Sequence, residues 1–366
     1  MGTNAANTSQ AASRSEHETR ANPAARERFS AEEMVICLSH YDLGVIRSVR
    51  DFARGSRRAP KAAIESEKGK FLFKRRAHGR DDVAKVTLVH QLQTFLSEQT
   101  FPLPRLIHTR DDHSMLVRGG FIYEMFEFIE GSAYGGSLIS TYEAGHTLGL
   151  FHKLLAAYRP AWPLPLGSYH DAKAILQSIR HTVRSLPPKD RPPGDVVAEA
   201  VEGLAGQYEQ CARVANELGV NDWEVQVVHG DWHPGNMLFR KEHVAAAIDY
   251  DAARFQPRVI DLANGALQFS IAGGGRDPEK WPDAVDMARF TQFFRGYDAA
   301  NVITVAEIQA IPYLMCEAMI AEAVLPIAAT GSFGRIDGFP FLQMIRRKVC
   351  WVQENRETLV KAMQEA

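Results

Sequence analysis

A chain of 366 residues, 45% of them apolar, carries enough hydrophobic surface for one large folded unit or two ordinary ones and has the balance of a globular protein. Its formal charge of −2, from 42 basic and 44 acidic side chains, excludes a global pull toward nucleic acid or an anionic membrane. Cys37, Cys211, Cys316 and Cys350 stand far apart with no CxxC pair, so neither a zinc site nor a disulfide framework is expected, and the thiols read as reduced and buried.

Residues 1–28 are rich in Ala, Asn, Ser, Thr, Glu and Arg without apolar periodicity and read as a disordered leader. They hold no apolar signal core, and no run is expected to approach the roughly 18 apolar residues of a membrane span. The expected location is the cytoplasm, with no membrane or nucleic-acid partner. A short helix is predicted from Ser30, with Glu32 and Glu33 in its first turn, to about His40. Alternating segments follow at Val45-Ile46, Ala62 to Glu67 and Lys70 to Arg75, separated by Gly55-Ser56 and Lys68-Gly69, which is the pattern of an antiparallel meander. From Asp82 to Glu98, Leu88, Leu92, Phe95 and Leu96 fall on one helical face, and Pro102 and Pro104 end the element. Ser114 to Val117 and Phe121 to Ile129 read as two further strands, closed by Gly131.

Beyond Gly131 the periodicity becomes helical, over Thr141 to Tyr158, Asp171 to Leu186 and Val196 to Leu218, and again from about Asp283, Val305 and Phe341. Short β-type segments at Trp223 to Val228, Met237 to Arg240 and Val244 to Ile248 interrupt it and bracket a polar loop. The fold class is therefore α+β: a small antiparallel-sheet lobe with one helix over residues 29–130, joined near 124–131 to a larger, mainly helical lobe over 131–366.

The polar loop reads His229-Gly230-Asp231-Trp232-His233-Pro234-Gly235-Asn236, and the next strand ends in Ile248-Asp249-Tyr250-Asp251. Phosphoryl transfer needs an acceptor for the hydroxyl proton, oxygen ligands for a hard cation such as Mg²⁺, and rigid placement of both. Asp231 with Asn236 five positions on, then Asp249 opening a turn after a strand, has the order and spacing of a kinase catalytic loop and its metal-binding aspartate. These residues resemble the phosphotransferase enzyme family that includes aminoglycoside phosphotransferases, choline kinases and type II homoserine kinases, whose signature is HGD, a large apolar residue, HPGN and an ID-aromatic strand end. The resemblance implies a bilobal protein-kinase-like fold using ATP and Mg²⁺, with Asp231 as catalytic base and Asn236 and Asp249 on the metal. Asp261, in Asp261-Leu262-Ala263, matches an aspartate that braces the catalytic loop; His229 becomes a hydrogen-bonding scaffold residue and His233 has no chemical role. Asp251 is a further candidate to approach the metal.

On the nucleotide side, Lys74 lies on the alternating strand Phe71-Leu72-Phe73-Lys74-Arg75 and is the residue expected to reach the α- and β-phosphates. The preceding loop, Arg54-Gly55-Ser56-Arg57-Arg58-Ala59-Pro60-Lys61, has a single glycine; its amides, Ser56 and Arg57 or Arg58 are candidates for phosphate contact, with a solvated basic surface or RNA binding as the other readings. The segment Tyr123 to Gly131 matches the family's hinge, where Glu127 and Ile129 would supply a backbone carbonyl and amide to adenine and Phe126 the gatekeeper. His152, in Gly149-Leu150-Phe151-His152, reads as a packed core histidine. The helix from Asp82 should offer an acidic partner for Lys74, but the matching position is His90 or Gln91, and Glu98 lies too near the helix end.

The expected activity is transfer of the γ-phosphate of ATP to the hydroxyl of a small molecule that is homoserine-, amino-alcohol- or aminoglycoside-like, by a monomer or homodimer. A bacterial-type protein Ser/Thr kinase is one alternative, and a non-catalytic nucleotide-binding protein is another, opened by the absent helix glutamate. Glu317 and Glu322, on an apolar helix, read as exposed residues, with contact to an amine-bearing substrate as the other possibility.

Overall fold

The computed structural model describes residues 26–160, 164–187, 193–275 and 277–366. Most of the expected leader, residues 1–25, lies outside this set. Residues 26–28, assigned to that leader, instead lie against the first lobe: Arg26 donates to the carbonyls of Gly55 and Ser56 at 3.0 and 2.9 Å, and the Glu27 carboxylate accepts from Arg75 at 2.8 Å. Helix α1 (Ala31–Leu38) starts in a capping box, with Ser30 and Glu33 each bonding the other's backbone amide. Glu33 also binds Arg75 at 2.6 Å and the Tyr123 hydroxyl at 2.7 Å, which ties α1 to the sheet.

Strands β1 (Ile46–Asp51), β2 (Lys61–Ser66), β3 (Gly69–Arg75), β4 (Leu116–Arg118) and β5 (Phe121–Glu127) form one five-stranded antiparallel sheet in the order β1-β2-β3-β5-β4. Alternation along the strands sends Ile64, Phe71, Phe73, Tyr123 and Met125 to a small core completed by Cys37, Leu38 and Tyr41. The opposite face therefore carries two cross-strand rows, Lys61–Lys74–Glu124 and Ala63–Leu72–Phe126. Helix α2 (Val83–Glu98), capped by Asp82, crosses on this second face: its His90 reaches Glu124 at 2.8 Å.

Eight helices build the larger lobe among the described residues: α3 (Leu138–Leu155), α4 (Lys173–Ser185), α5 (Gly194–Glu217), α6 (Arg258–Ser270), α7 (Met287–Ala300), α8 (Val305–Thr330), α9 (Gly338–Glu354) and α10 (Arg356–Gln364). Between α5 and α6 run β6 (Val225–Val228), β7 (Met237–Arg240), β8 (His243–Ala247) and β9 (Arg254–Pro257), paired as β6 with β9 and β7 with β8. A small hairpin, β10 (Ser332–Phe333) with β11 (Ile336–Asp337), precedes α9. The α+β arrangement expected from periodicity is the one observed. Strands β9, β10 and β11 and helices α6 and α10 escaped it: the strands have only two to four residues and carry little alternation, α6 is buried almost all round and so lacks an amphipathic period, and α10 follows α9 without a breaker.

Helix α8 corrects the expectation that no segment is long and apolar enough to span a membrane. It has 26 residues and a window of mean hydropathy 1.5, but 78% of that window is buried inside the protein, so α8 is the central core helix. Glu317 on α8, expected at the surface, is fully buried; it bonds His170 at 2.8 Å and the Asp171 amide at 3.1 Å, joining α8 to the loop before α4.

Helices α3 and α7 meet at backbone distance because each offers glycine at the crossing. A Cβ on Gly145 would lie 2.0 Å from the Phe293 carbonyl oxygen, and one on Gly296 would lie 2.0 Å from that of Tyr142. The contact is rigid main chain on both sides, so it cannot yield to a methyl group. Gly145→Ala should therefore destabilise the protein by ~1–3 kcal/mol or more despite the better helix propensity of alanine, as measured by denaturant unfolding; unchanged stability would refute the close crossing.

Candidate active site

The polar loop leaves β6 at Val228 and is held from below by Asp261 on α6. The two carboxylate oxygens of Asp261 accept from the amides of His229 and Gly230, each at 3.0 Å, and His152 on α3 approaches at 3.3 Å while its other ring nitrogen meets the Tyr297 hydroxyl at 2.8 Å. His229 is fully buried, donates from Nε2 to the Ile248 carbonyl at 3.2 Å and packs edge-on to Trp232; burial pushes its imidazole pKa down. Gly230 has a φ of 76°, and a Cβ there would stand 2.5 Å from the Ala252 carbonyl oxygen, so the sharp turn into Asp231 requires glycine.

Asp231, Asn236 and Asp249 come together at the cleft floor. Asn236 donates from Nδ2 to the Asp231 side chain at 2.8 Å and its carbonyl at 3.0 Å, which leaves its amide oxygen without a hydrogen-bond partner among the described residues. Asp249 sits in the left-handed region at φ 66°, a strained position for a residue with a Cβ, and its carboxylate takes part in no hydrogen bond or ion pair among the described residues. Burial works to raise the Asp231 carboxyl, but His233 and Asn236 hold it below the usual carboxylate range. His233, read as chemically idle, stands 3.6 Å from Asp231, an ion-pair rather than a hydrogen-bond distance, and accepts the Gly235 amide.

Lys74 does have an acidic partner, supplied by a strand instead of the helix. Glu124, opposite Lys74 in the β3–β5 register, lies 3.3 Å from its ammonium and is fully buried. Arg76 and His90 bind the other carboxylate oxygen, each at 2.8 Å, so the helix position that lacked an acid holds a histidine pointing at the same acid. Arg76 also grips both oxygens of Asp251, at 3.0 and 2.9 Å, and thereby ties the sheet to the turn that carries Asp249. Asp251 is committed to this arginine rather than free for a metal. Burial alone would raise the Glu124 carboxyl; Lys74, His90 and Arg76 overcome it and hold the group well below the carboxylate range. The trace in the sequence was an isolated acid inside the apolar run Phe121 to Phe126.

At the hinge, the Glu127 amide is already donated to the Arg105 carbonyl at 2.8 Å, so only its carbonyl is left to meet a ligand. The Ile129 amide and carbonyl bond no protein group among the described residues. Phe126 packs edge-on to His90. Ser56 and Arg57 lie in the exposed loop between β1 and β2, where the Ser56 hydroxyl accepts the Arg58 amide; among the described residues neither is hydrogen-bonded or ion-paired to Lys74, Asp231, Asn236 or Asp249. A polar cleft of about 280 Å³ opens beside the floor, lined among others by Arg76, Arg80, Lys85, Asp231, Asp249 and Asp251.

On the side away from the sheet, Glu322 of α8 bonds Gln268 and stands in the field of Asp231; burial, then that like charge, pushes its carboxyl up to about 7. The residue as a whole is nonetheless exposed, as expected for the surface, and the upward push comes from protein atoms crowded around the carboxyl and from Asp231.

A family model described as "Phosphotransferase enzyme family" matches residues 49–301. A homoserine kinase of Beijerinckia indica is 21% identical over 309 residues, covering 78% of this chain and 82% of that protein. Among solved structures, an aminoglycoside phosphotransferase from Alicyclobacillus acidocaldarius superposes with a TM-score of 0.64 at 17% identity, over 90% of this chain and 95% of the other. A microcompartment-associated aminopropanol kinase does so with a TM-score of 0.65 at 11% identity, over 90% and 98%. These likenesses establish the protein-kinase-like fold.

Glu124→Gln removes the charge that Lys74 and Arg76 share and that His90 hydrogen-bonds. Breaking such a pair costs ~3–5 kcal/mol, so the variant should unfold at markedly lower denaturant, and nucleotide binding should weaken because Lys74 and Arg76 lose their common anchor. Wild-type stability in this variant would mean that the network is not formed.

Proposed function

The chain belongs to the phosphotransferase enzyme family, and from that premise we propose that it transfers the γ-phosphate of ATP to the hydroxyl of an amine-bearing small molecule, with Asp231 as general base. It is a small-molecule kinase by family and by fold. The observation that carries the finer reading is the orientation of Asn236. Its amide nitrogen is spent on Asp231, which leaves its oxygen without a hydrogen bond among the described residues. The same holds for the carboxylate of Asp249, whose chain neighbour Ile248 donates its amide to the Asn236 carbonyl at 2.9 Å. An amide oxygen and a carboxylate are the donors a hard cation selects. Among the described residues no third acidic or histidine ligand joins them, which suits Mg²⁺, an ion that keeps waters and substrate phosphates as its remaining ligands. Bound there, the metal would neutralise and orient the terminal phosphates.

In this reading the acceptor oxygen attacks the γ-phosphorus, the bond to ADP breaks, and the hydroxyl proton passes to Asp231. The carboxylate is kept ionised by His233 and Asn236 despite burial, so it is ready to accept that proton at neutral pH. Lys74 would take the α- and β-phosphates and Ser56 and Arg57 would cover them, while the Glu127 carbonyl and the Ile129 amide would meet the adenine edge. With Glu124 beside Lys74, the argument for a non-catalytic protein loses its basis. We place the enzyme in the cytoplasm, where ATP is at hand, acting as a monomer or homodimer. Glu322, beside Asp231 on the acceptor side, supports an ammonium group on the substrate, and the kinase for aminopropanol among the structural neighbours fits that choice.

Asp231→Asn should lower kcat by about 10²–10⁴-fold with ATP affinity little changed, in an ADP-release assay with 3-amino-1-propanol and homoserine as acceptors; full activity would remove Asp231 from the role of base. Because the Glu322 carboxyl ionises near pH 7, its attraction for an ammonium is absent below that value and present above it. Wild-type kcat/KM for an amine acceptor should thus rise from pH 6 to 8. Glu322→Gln should flatten that rise and lower kcat/KM at pH 8 by ~10-fold or more; an unaltered profile would exclude Glu322 from substrate recognition.

A further inference from the structure

Two lysines of the small sheet stand directly opposite one another on the face that looks into the cleft. Lys61 on β2 pairs with Lys74 on β3 in the antiparallel register, and both alternate away from the core residues Ala62 and Phe73. Like charges in this relation destabilise a sheet. Lys74 is compensated by Glu124, and the other lysines of the strands and turn nearby are also paired, Lys68 with Asp42 and Lys70 with Glu130. Lys61 alone of these has no ion pair and no side-chain hydrogen bond among the described residues.

Its position is as informative as its lack of a partner. The Lys61 ammonium lies beneath the turn at Gly55, where an added Cβ would come within 2.8 Å of Nζ, and Gly55 itself has a φ of 75°. Arg26 secures that turn from outside through the Gly55 and Ser56 carbonyls. Burial, with Lys74 adding to it, pulls the Lys61 ammonium pKa down, and Asp249 across the cleft pulls the other way. The ammonium is thus held, partly desolvated, between the loop over the cleft, Lys74 and the unpaired Asp249. Such an arrangement is costly without an anion and lacks only a polyanion to complete it. Arg76 cannot serve a ligand in its place, since Glu124 and Asp251 occupy its guanidinium.

We propose that Lys61 is a second phosphate-binding lysine, which contacts the terminal phosphates of the nucleotide from the strand beside Lys74. This rests on ATP as the phosphate donor. The adenine end would lie along the neighbouring row Ala63–Leu72–Phe126 toward the hinge, so Lys61 meets only the part of the ligand that AMP lacks.

Calorimetric titration of the full chain with AMP, ADP and ATP in Mg²⁺, for the wild type, Lys61→Met and Lys61→Arg, tests this directly, together with the ligand-free melting temperature. Lys61→Met should weaken ADP and ATP by ~10- to 100-fold, the worth of a charged hydrogen bond, leave AMP unchanged, and raise the ligand-free melting temperature by relieving repulsion from Lys74. Lys61→Arg should retain most of the ADP and ATP affinity. Equal losses for all three nucleotides, no loss for any, or a lower melting temperature in Lys61→Met would overturn the assignment and leave the ATP reading intact. Failure of the wild type to bind any nucleotide would instead overturn the ATP reading, and this inference with it.

Discussion

A single fully buried carboxylate organises the upper half of this enzyme. Glu124 has no access to water, and an isolated ion in that position would carry a penalty of several kcal/mol. It is tolerated because Lys74, Arg76 and His90 converge on it from β3, the end of β3 and α2. Each partner is also attached to something else. Lys74 faces the cleft, Arg76 reaches down to Asp251 in the larger lobe, and His90 continues to Ser114 at 3.0 Å. The geometry of the sheet, the helix across it and the turn bearing Asp249 is therefore set by the need to satisfy one acid.

The lower half depends in the same way on Asp261. Its two oxygens are spent on consecutive amides at the start of the polar loop, and the glycine turn that follows projects Asp231 into the cleft. Backbone amides give the loop a fixed height, and Asn236 gives the Asp231 side chain a fixed direction. Phosphoryl transfer relies on placement and charge rather than on covalent chemistry by the protein, and this site invests accordingly. The Arg76–Asp251 bridge connects the two halves, so the groups that would hold phosphate and those that would hold metal share one rigid frame.

The face of the sheet above the cleft divides into a charged row and an apolar row two residues apart, as the period of a β-strand dictates. Lys61, Lys74 and Glu124 make the first, Ala63, Leu72 and Phe126 the second. A nucleotide has the same division, with a polyphosphate at one end and a flat base at the other. On α6 and α8, Gln268 bonds Glu322, which stands in the field of Asp231, and under the proposed function the choice of acceptor falls to these helices.

Much of this was legible in the chain itself, for physical reasons. That Asp231, Asn236 and Asp249 would lie close together was readable because the polar loop is a local structure: a tight turn, a fixed five-residue interval and a strand end constrain residue types at short range. The strand-rich and helix-rich halves were readable because burial imposes periods of two and 3.6 on apolar residues. What the sequence could not reveal were relations across strands and between lobes. Glu124 lies 50 positions beyond Lys74, Asp251 lies 175 beyond Arg76, and nothing local in either segment records the register that joins them. The partner expected on α2 was found on β5, and Glu317 on the apolar helix α8 proved buried rather than exposed, because pairing and burial are decided only when the whole chain has closed around them.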